Sequence, residues 1–337
     1  MRERSLIICD DDRDFVARLG GFVSRREEGA FRVVCFSDRE KMKEYVSTHE
    51  VDAVLAGESW EKAEFCGEKK RWFRLMETAN APRENAEPFV YKYQAAEEIL
   101  RQVMLGLELP GAGQPELCTE TDLFGVYAPG GWTECTRLAL TMAKHLGRDG
   151  PAVYLGLNEF SAVIGLLGRN TDQDLSDLAY CWRRGRLDEE QLERMVIHLE
   201  GYDCVPAPAN PAELAELKES ESKDLVEAVC RAGGYRYAVL DFGGSISGWL
   251  SLFGSVGKNC VLFPATETGS LQQEAYEAFW RSIGADSIAE RSKGVMLPLE
   301  ELRGSRRERT EEYMDELAER LLRSAEDVER SGGAIVC

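Results

Sequence analysis

L-F-G-V-Y-A-P-G-G-W-T-E-C-T, residues 123–136, is the stretch that decides the fold. Its apolar opening, 123–127, has the length of a buried strand. The paired glycines Gly130 and Gly131 make a tight turn. From Thr136 onward, Leu138, Met142 and Leu146 share one helical face. A strand, a glycine loop and a helix in this order aim backbone N–H groups and a positive helix end at one point, where an anion can sit. The residues that complete such a site are a lysine for the phosphates and a hydroxyl for magnesium. Neither stands in its place here.

The alternation continues on both sides. Downstream, 152–157, 237–241, 259–264 and 295–298 read as strands. The segments 188–199, 214–217 and 225–230 read as helical. Upstream, 6–9, 31–36, 51–56, 73–76 and 89–91 read as strands, with Phe15, Leu19, Phe22 and Val23 on one helical face and a closing helix over 95–105. Strands alternating with helices predict α/β architecture, with mostly parallel sheets covered on both faces. The run L-P-G-A-G-Q-P-E within 106–121 breaks the pattern and marks a linker. Two domains are therefore expected, 1–105 and 122–337. Near the C-terminus, Tyr313, Leu317, Leu321, Ala325 and Val328 form a stripe on a charged helix, predicted to dock onto the sheet.

Composition narrows the function classes. The chain has 337 residues, 44% hydrophobic and 30% charged, with a net charge of −19. Such acidity argues against a broad nucleic-acid grip, which needs a basic face. The basic clusters at 306–309 and at Arg183, Arg184 and Arg186 sit among acids and read as solvated helix faces. No run is long enough for a membrane span, and a cytoplasmic protein is expected. The ten cysteines contain no C-x-x-C pair, and Cys9, Cys35 and Cys260 fall in strand-like runs, so buried free thiols are expected. His49, His145 and His198 are scattered and form no metal pattern with them.

Residues 123 to about 300 resemble the deviant Walker ATPases of the ParA and MinD type, whose loop reads x-K-G-G-x-G-K-[ST]. The narrower resemblance is to their TadZ and CpaE relatives, which precede this fold with a receiver-like domain. It is carried by 91–100 (Y-K-Y-Q-A-A-E-E-I-L), 154–161 (Y-L-G-L-N-E-F-S), 175–180 (L-S-D-L-A-Y) and 263–271 (F-P-A-T-E-T-G-S-L). Matched to the family's loop, the first lysine falls on Pro129 and the third glycine on Thr133. The second lysine falls on Glu134 and the magnesium hydroxyl on Cys135, with Thr136 following. Two unit charges about 4 Å apart interact by roughly 4 kcal/mol at an effective dielectric of about 20, so Glu134 turns an attraction of that order into repulsion. Sulfur is a poor ligand for magnesium. The family's D-x-D places hold Gly156 and Asn158, and only Asp241 keeps its acid. The vestigial nucleotide loop thus comprises Gly130, Gly131, Trp132, Thr133, Glu134, Cys135 and Thr136, with Asp241 behind it.

Residues 1–105 resemble a response-regulator receiver domain, which implies a flavodoxin-like fold. Asp10, Asp11 and Asp12 match its magnesium-binding acids, and Lys92 its last-strand lysine. The phosphoacceptor position falls on Gly57, which has no carboxylate. The acid triplet also reads as a helix cap. Together the resemblances imply a pseudo-receiver followed by a P-loop NTPase-like domain. The expected function is a non-catalytic scaffold for assembling or localising a pilus or secretion apparatus, recruited to the membrane or cell pole through protein partners. No cofactor is expected, and ATP with magnesium binds weakly at best. With Pro129 in place of the lysine that reaches across a nucleotide dimer, any homodimer is expected to be nucleotide-independent. An ATPase with a rewired site and a signalling adaptor are the alternatives.

Overall fold

The computed structural model describes residues 4–25, 31–65, 71–78, 88–108, 120–169, 171–217, 219–244, 246, 248–283 and 285–330. The chain divides into two compact units, Met1–Ala112 with Ala275–Ala289, and Gly113–Glu274 with Glu290–Cys337. The linker expected over 106–121 falls largely on residues outside the description; its first residues continue the helix Ala96–Glu108.

In the first unit, β1 (Arg4–Cys9), β2 (Phe31–Phe36), β3 (Ala53–Gly57), β4 (Arg71–Met76) and β5 (Phe89–Tyr91) form a parallel sheet ordered β2-β1-β3-β4-β5. This is the flavodoxin-like doubly wound order. Alternation along β1 sends Leu6 and Ile8 to one face, with Leu55, Phe73 and the helices Arg13–Ser24 and Ala96–Glu108. It sends Ile7 and Cys9 to the other, with Val54, Trp72 and Met42. Both faces are covered, which is why these strands read as continuous apolar runs. The segment Ala275–Ala289 is counted with this unit rather than with everything after residue 122, and its Trp280, Ile283 and Ile288 are buried.

In the second unit, β6 (Asp122–Tyr127), β7 (Ala152–Leu157), β8 (Ile197–His198), β9 (Asp203–Val205), β10 (Tyr237–Phe242), β11 (Lys258–Pro264) and β12 (Ser292–Leu297) form one sheet ordered β12-β11-β6-β10-β7-β9-β8. All pairings are parallel except β8 with β9. The chain runs from β6 outward to β7 on one side, and later from β10 to β11 on the other. The carboxyl end of β6 therefore lies at a switch point, where doubly wound sheets place their ligands.

Two sequence expectations are corrected. The helix read over 188–199 is a short helix, Glu189–Glu193, followed by β8. The Leu199 N–H donates to the Tyr202 carbonyl at 2.9 Å, and Gly201, at φ 91°, turns the chain back into β9. Cys35 lies on the edge strand β2 and is exposed, whereas Cys9, Cys135, Cys204, Cys230 and Cys260 are buried. The C-terminal helix, Arg307–Arg330, packs along the helix Thr133–Leu146 and shares a buried core with β11 and β12.

That packing buries Met314, Leu317, Ala318 and Leu321 at 3–4 spacing. The side chains of Ala325 and Val328 lie outside the described residues. Leu317→Ala is expected to cost about 2–5 kcal/mol, the range for a leucine deleted from a packed core, read as a lowered urea midpoint with an unchanged slope.

Candidate functional site

The loop leaves β6 at Tyr127 and enters the helix Thr133–Leu146. The Gly131 N–H donates to the Ala128 carbonyl at 2.9 Å, and Gly131 itself sits at φ 64°. The turn is thus closed on its own backbone. The Trp132 indole lies over Gly130: a Cβ there would stand 2.3 Å from the ring. Thr133 and Glu134 occupy the first turn of the helix. Glu134 is buried, with Oε1 3.5 Å from Arg303 Nε and Oε2 without a partner. A carboxylate in a first helical turn meets the positive end of the helix dipole. The charge that an incoming phosphate would bring is already there, supplied by the chain.

Cys135 and Thr136 point the other way, onto Asp241. Asp241 is fully buried near the end of β10, in register with Val126 of β6 and Gly156 of β7. It accepts from Thr136 Oγ1 at 2.7 Å, Tyr154 OH at 2.7 Å, Asn158 Nδ2 at 3.0 Å and Cys135 Sγ at 3.3 Å. Asn158 Nδ2 also reaches Thr136 Oγ1 at 3.1 Å. Burial raises the Asp241 carboxyl above its usual range, against the lowering effect of its hydrogen bonds from Thr136, Tyr154 and Cys135. Burial, with Asp241 adding, also pushes the Cys135 thiol and Tyr154 phenol well up, so both remain donors.

Sequence reading placed Asp241, Cys135, Thr136 and Asn158 at the site but did not single out Tyr154. The signal was present: Tyr154, Gly156 and Asn158 alternate onto one face of β7. Gly156 cannot carry an acid in this packing, because a Cβ there would stand 2.5 Å from the Ala207 amide nitrogen.

The fit to magnesium nucleotide is poor on these observations. Glu134 puts a buried carboxylate at the helix end, the glycine turn is closed and covered, and the Thr136 hydroxyl and Cys135 thiol are turned onto Asp241. No step through a nucleotide is derived from this geometry.

In the first unit the three acids at the end of β1 go three ways. Asp10 is buried, accepting from Lys92 Nζ at 3.0 Å and the Asp12 N–H at 2.8 Å. Asp11 accepts from Ser59 Oγ at 2.6 Å and Trp60 Nε1 at 3.1 Å. Asp12 caps the following helix, accepting from the Asp14 and Phe15 N–H groups at 3.0 Å. Among the described residues, no group of three His, Cys, Asp or Glu is arranged to hold a metal ion. A Cβ at Gly57 would stand 2.5 Å from Asp10 Oδ2. Burial works to lower the Lys92 ammonium, but the hydrogen bond and charge of Asp10 outweigh it and hold the group above its ordinary value.

No protein-family model matches the chain, and no curated protein matches its sequence. Among solved structures, the chain is similar to a ParA family ATPase from Chlorobium tepidum TLS, at 18% identity and a TM-score of 0.45 over 59% of this chain and 98% of that one. It is similar to a putative plasmid partition protein from Borrelia burgdorferi B31 bound to AMPPNP, at 12% identity and a TM-score of 0.42 over 60% of this chain and 99% of that one. A third is the MinC:MinD cell division protein complex of Aquifex aeolicus, at 13% identity and a TM-score of 0.38 over 55% of this chain and 72% of that one. The fold assignment itself rests on the strand order and the place of the loop.

Two outcomes follow from the geometry. Gly57→Asp drives a second carboxylate into the place of Asp10 and is expected to cost about 1–3 kcal/mol by urea denaturation, as overpacking does. An unchanged midpoint would show that the pocket opens. Asp241→Asn tests the buried carboxyl through pH. The folded value of Asp241 lies above the unfolded value of about 3.9, so the native state binds the proton more tightly. Its contribution is largest at low pH and falls as pH rises from about 4 through the raised folded value. The stability of the parent minus that of Asp241→Asn should therefore decline across that window in urea titrations at a series of pH values.

Proposed function

We propose that this chain is a non-catalytic scaffold on a ParA/MinD-like fold, which positions or assembles protein partners and does not turn over nucleotide. The observation that carries the reading is the enclosure of Asp241 by Cys135, Thr136, Tyr154 and Asn158, with Glu134 at the helix end. An Asp available to magnesium and water needs an open side; this one is fully buried. The first unit supports the same reading. Its acceptor position is Gly57, and Asp10 is locked to Lys92.

The narrower form is a TadZ/CpaE-like role in assembling a pilus or secretion apparatus at the membrane or cell pole, with 1–105 as a pseudo-receiver used for docking. It rests on the sequence segments quoted above and on the two-unit layout. Among the described residues no helix is long and apolar enough to cross a membrane, so recruitment there would run through partners.

Calorimetric titration of the full chain with ATP and magnesium tests the proposal. The expected result is no saturable binding up to about 1 mM, equivalent to less than about 4 kcal/mol. Binding in the micromolar range, or turnover abolished by Asp241→Ala, would replace it with the rewired ATPase. The same proposal expects light scattering to return one molar mass with and without ATP, because Pro129 cannot reach across to a partner's phosphates. An ATP-dependent increase would contradict that expectation.

A further inference from the structure

A groove in the second unit is lined by two cations that bond to no carboxylate among the described residues, together with two acids, Glu311 and Asp315. It lies between the helices Thr133–Leu146, Val163–Leu167 and Arg307–Arg330 and has a volume of about 200 Å3. Arg137, Leu140, Thr141 and Lys144 follow i, i+3, i+4, i+7 spacing, so one face of the first helix lines it. This face is turned away from the one that presents Cys135 and Thr136 to Asp241. Leu166, Leu167 and Met314 supply an apolar wall.

The acids in the lining are already engaged. Glu311 accepts from Arg307 Nε at 2.6 Å, and Arg307 also donates to the Leu166 carbonyl at 3.3 Å. Asp315 accepts from His145 Nε2 at 2.9 Å, and that proton assignment is set by Arg148 donating to His145 Nδ1 at 3.3 Å. Among the described residues, the Arg137 guanidinium and Lys144 ammonium have no protein acceptor, and the Tyr202 hydroxyl beside them has no partner. Two cations left unpaired over an apolar floor make a site complementary to an amphiphilic anion.

We propose that this groove binds a small organic anion with an apolar body. Its carboxylate or phosphate end pairs with Arg137 and Lys144, and its body lies on Leu166 and Leu167. The site is separate from the nucleotide-like loop, and the proposal does not depend on that loop being silent.

Calorimetry on the full chain with octanoate, octanamide and inorganic phosphate tests it. Octanoate should bind saturably at one site, with octanamide and inorganic phosphate each weaker by about tenfold or more. Arg137→Gln with Lys144→Gln should weaken octanoate by about tenfold or more, while Arg236→Gln, outside the groove, leaves it unchanged. Circular dichroism confirms that the variants are folded. If the double variant unfolds, the single exposed change Lys144→Gln should still weaken octanoate several-fold. The proposal is overturned by absence of saturable octanoate binding, by octanamide binding as tightly, by phosphate binding as tightly, or by affinity that survives loss of the cations.

Discussion

The buried carboxylate of Asp241 is the constraint on which the second unit is arranged. A carboxylate removed from water is costly unless its lone pairs are occupied. Here its donors come from two directions, Cys135 and Thr136 on the loop helix, and Tyr154 on β7 with Asn158 just past its end. The helix is thereby pinned to the centre of the sheet at one rotation about its axis. That rotation sends Arg137 and Lys144 outward to the groove and leaves Glu134 at the helix end. It also presents Met142 and Leu146 to the core that the C-terminal helix shares. The three neighbours β6, β10 and β7 meet at this one polar point in an otherwise apolar layer.

Most of the fold was legible because its central strands are buried on both faces. Residues 123–127, 152–157, 237–240 and 260–264 are continuous apolar runs, and such runs announce parallel strands without help from the rest of the chain. What stayed hidden was short or non-local. β8 and β9 have two and three residues, too few to show alternation, and they exist because Gly201 folds them together. The helix Glu267–Ser282 carries a glycine and a weak apolar pattern and was not foreseen. Strand order depends on pairings between segments far apart in sequence. In the site, the losses at Pro129, Glu134 and Cys135 could be read directly, since each residue is chemically unlike what it replaces. Tyr154 could not. A tyrosine inside an apolar strand looks like packing until the acid beside it is known.

Each unit holds a carboxylate of the chain near a glycine at the carboxyl end of its sheet. Asp10 fills the space beside Gly57 and takes Lys92 as its partner. Glu134 takes the positive helix end beside Gly130 and Gly131. A fixed carboxylate needs no binding step and carries no entropy of association, so an incoming phosphate meets both a filled position and a like charge. On the proposed reading, switching is lost as well as catalysis. A site whose bound and free forms differ by a phosphate can present two surfaces to a partner. A site that carries its own anion presents one. On that reading any control enters elsewhere, and in the second unit Arg137 and Lys144 lie on the opposite face of the same helix.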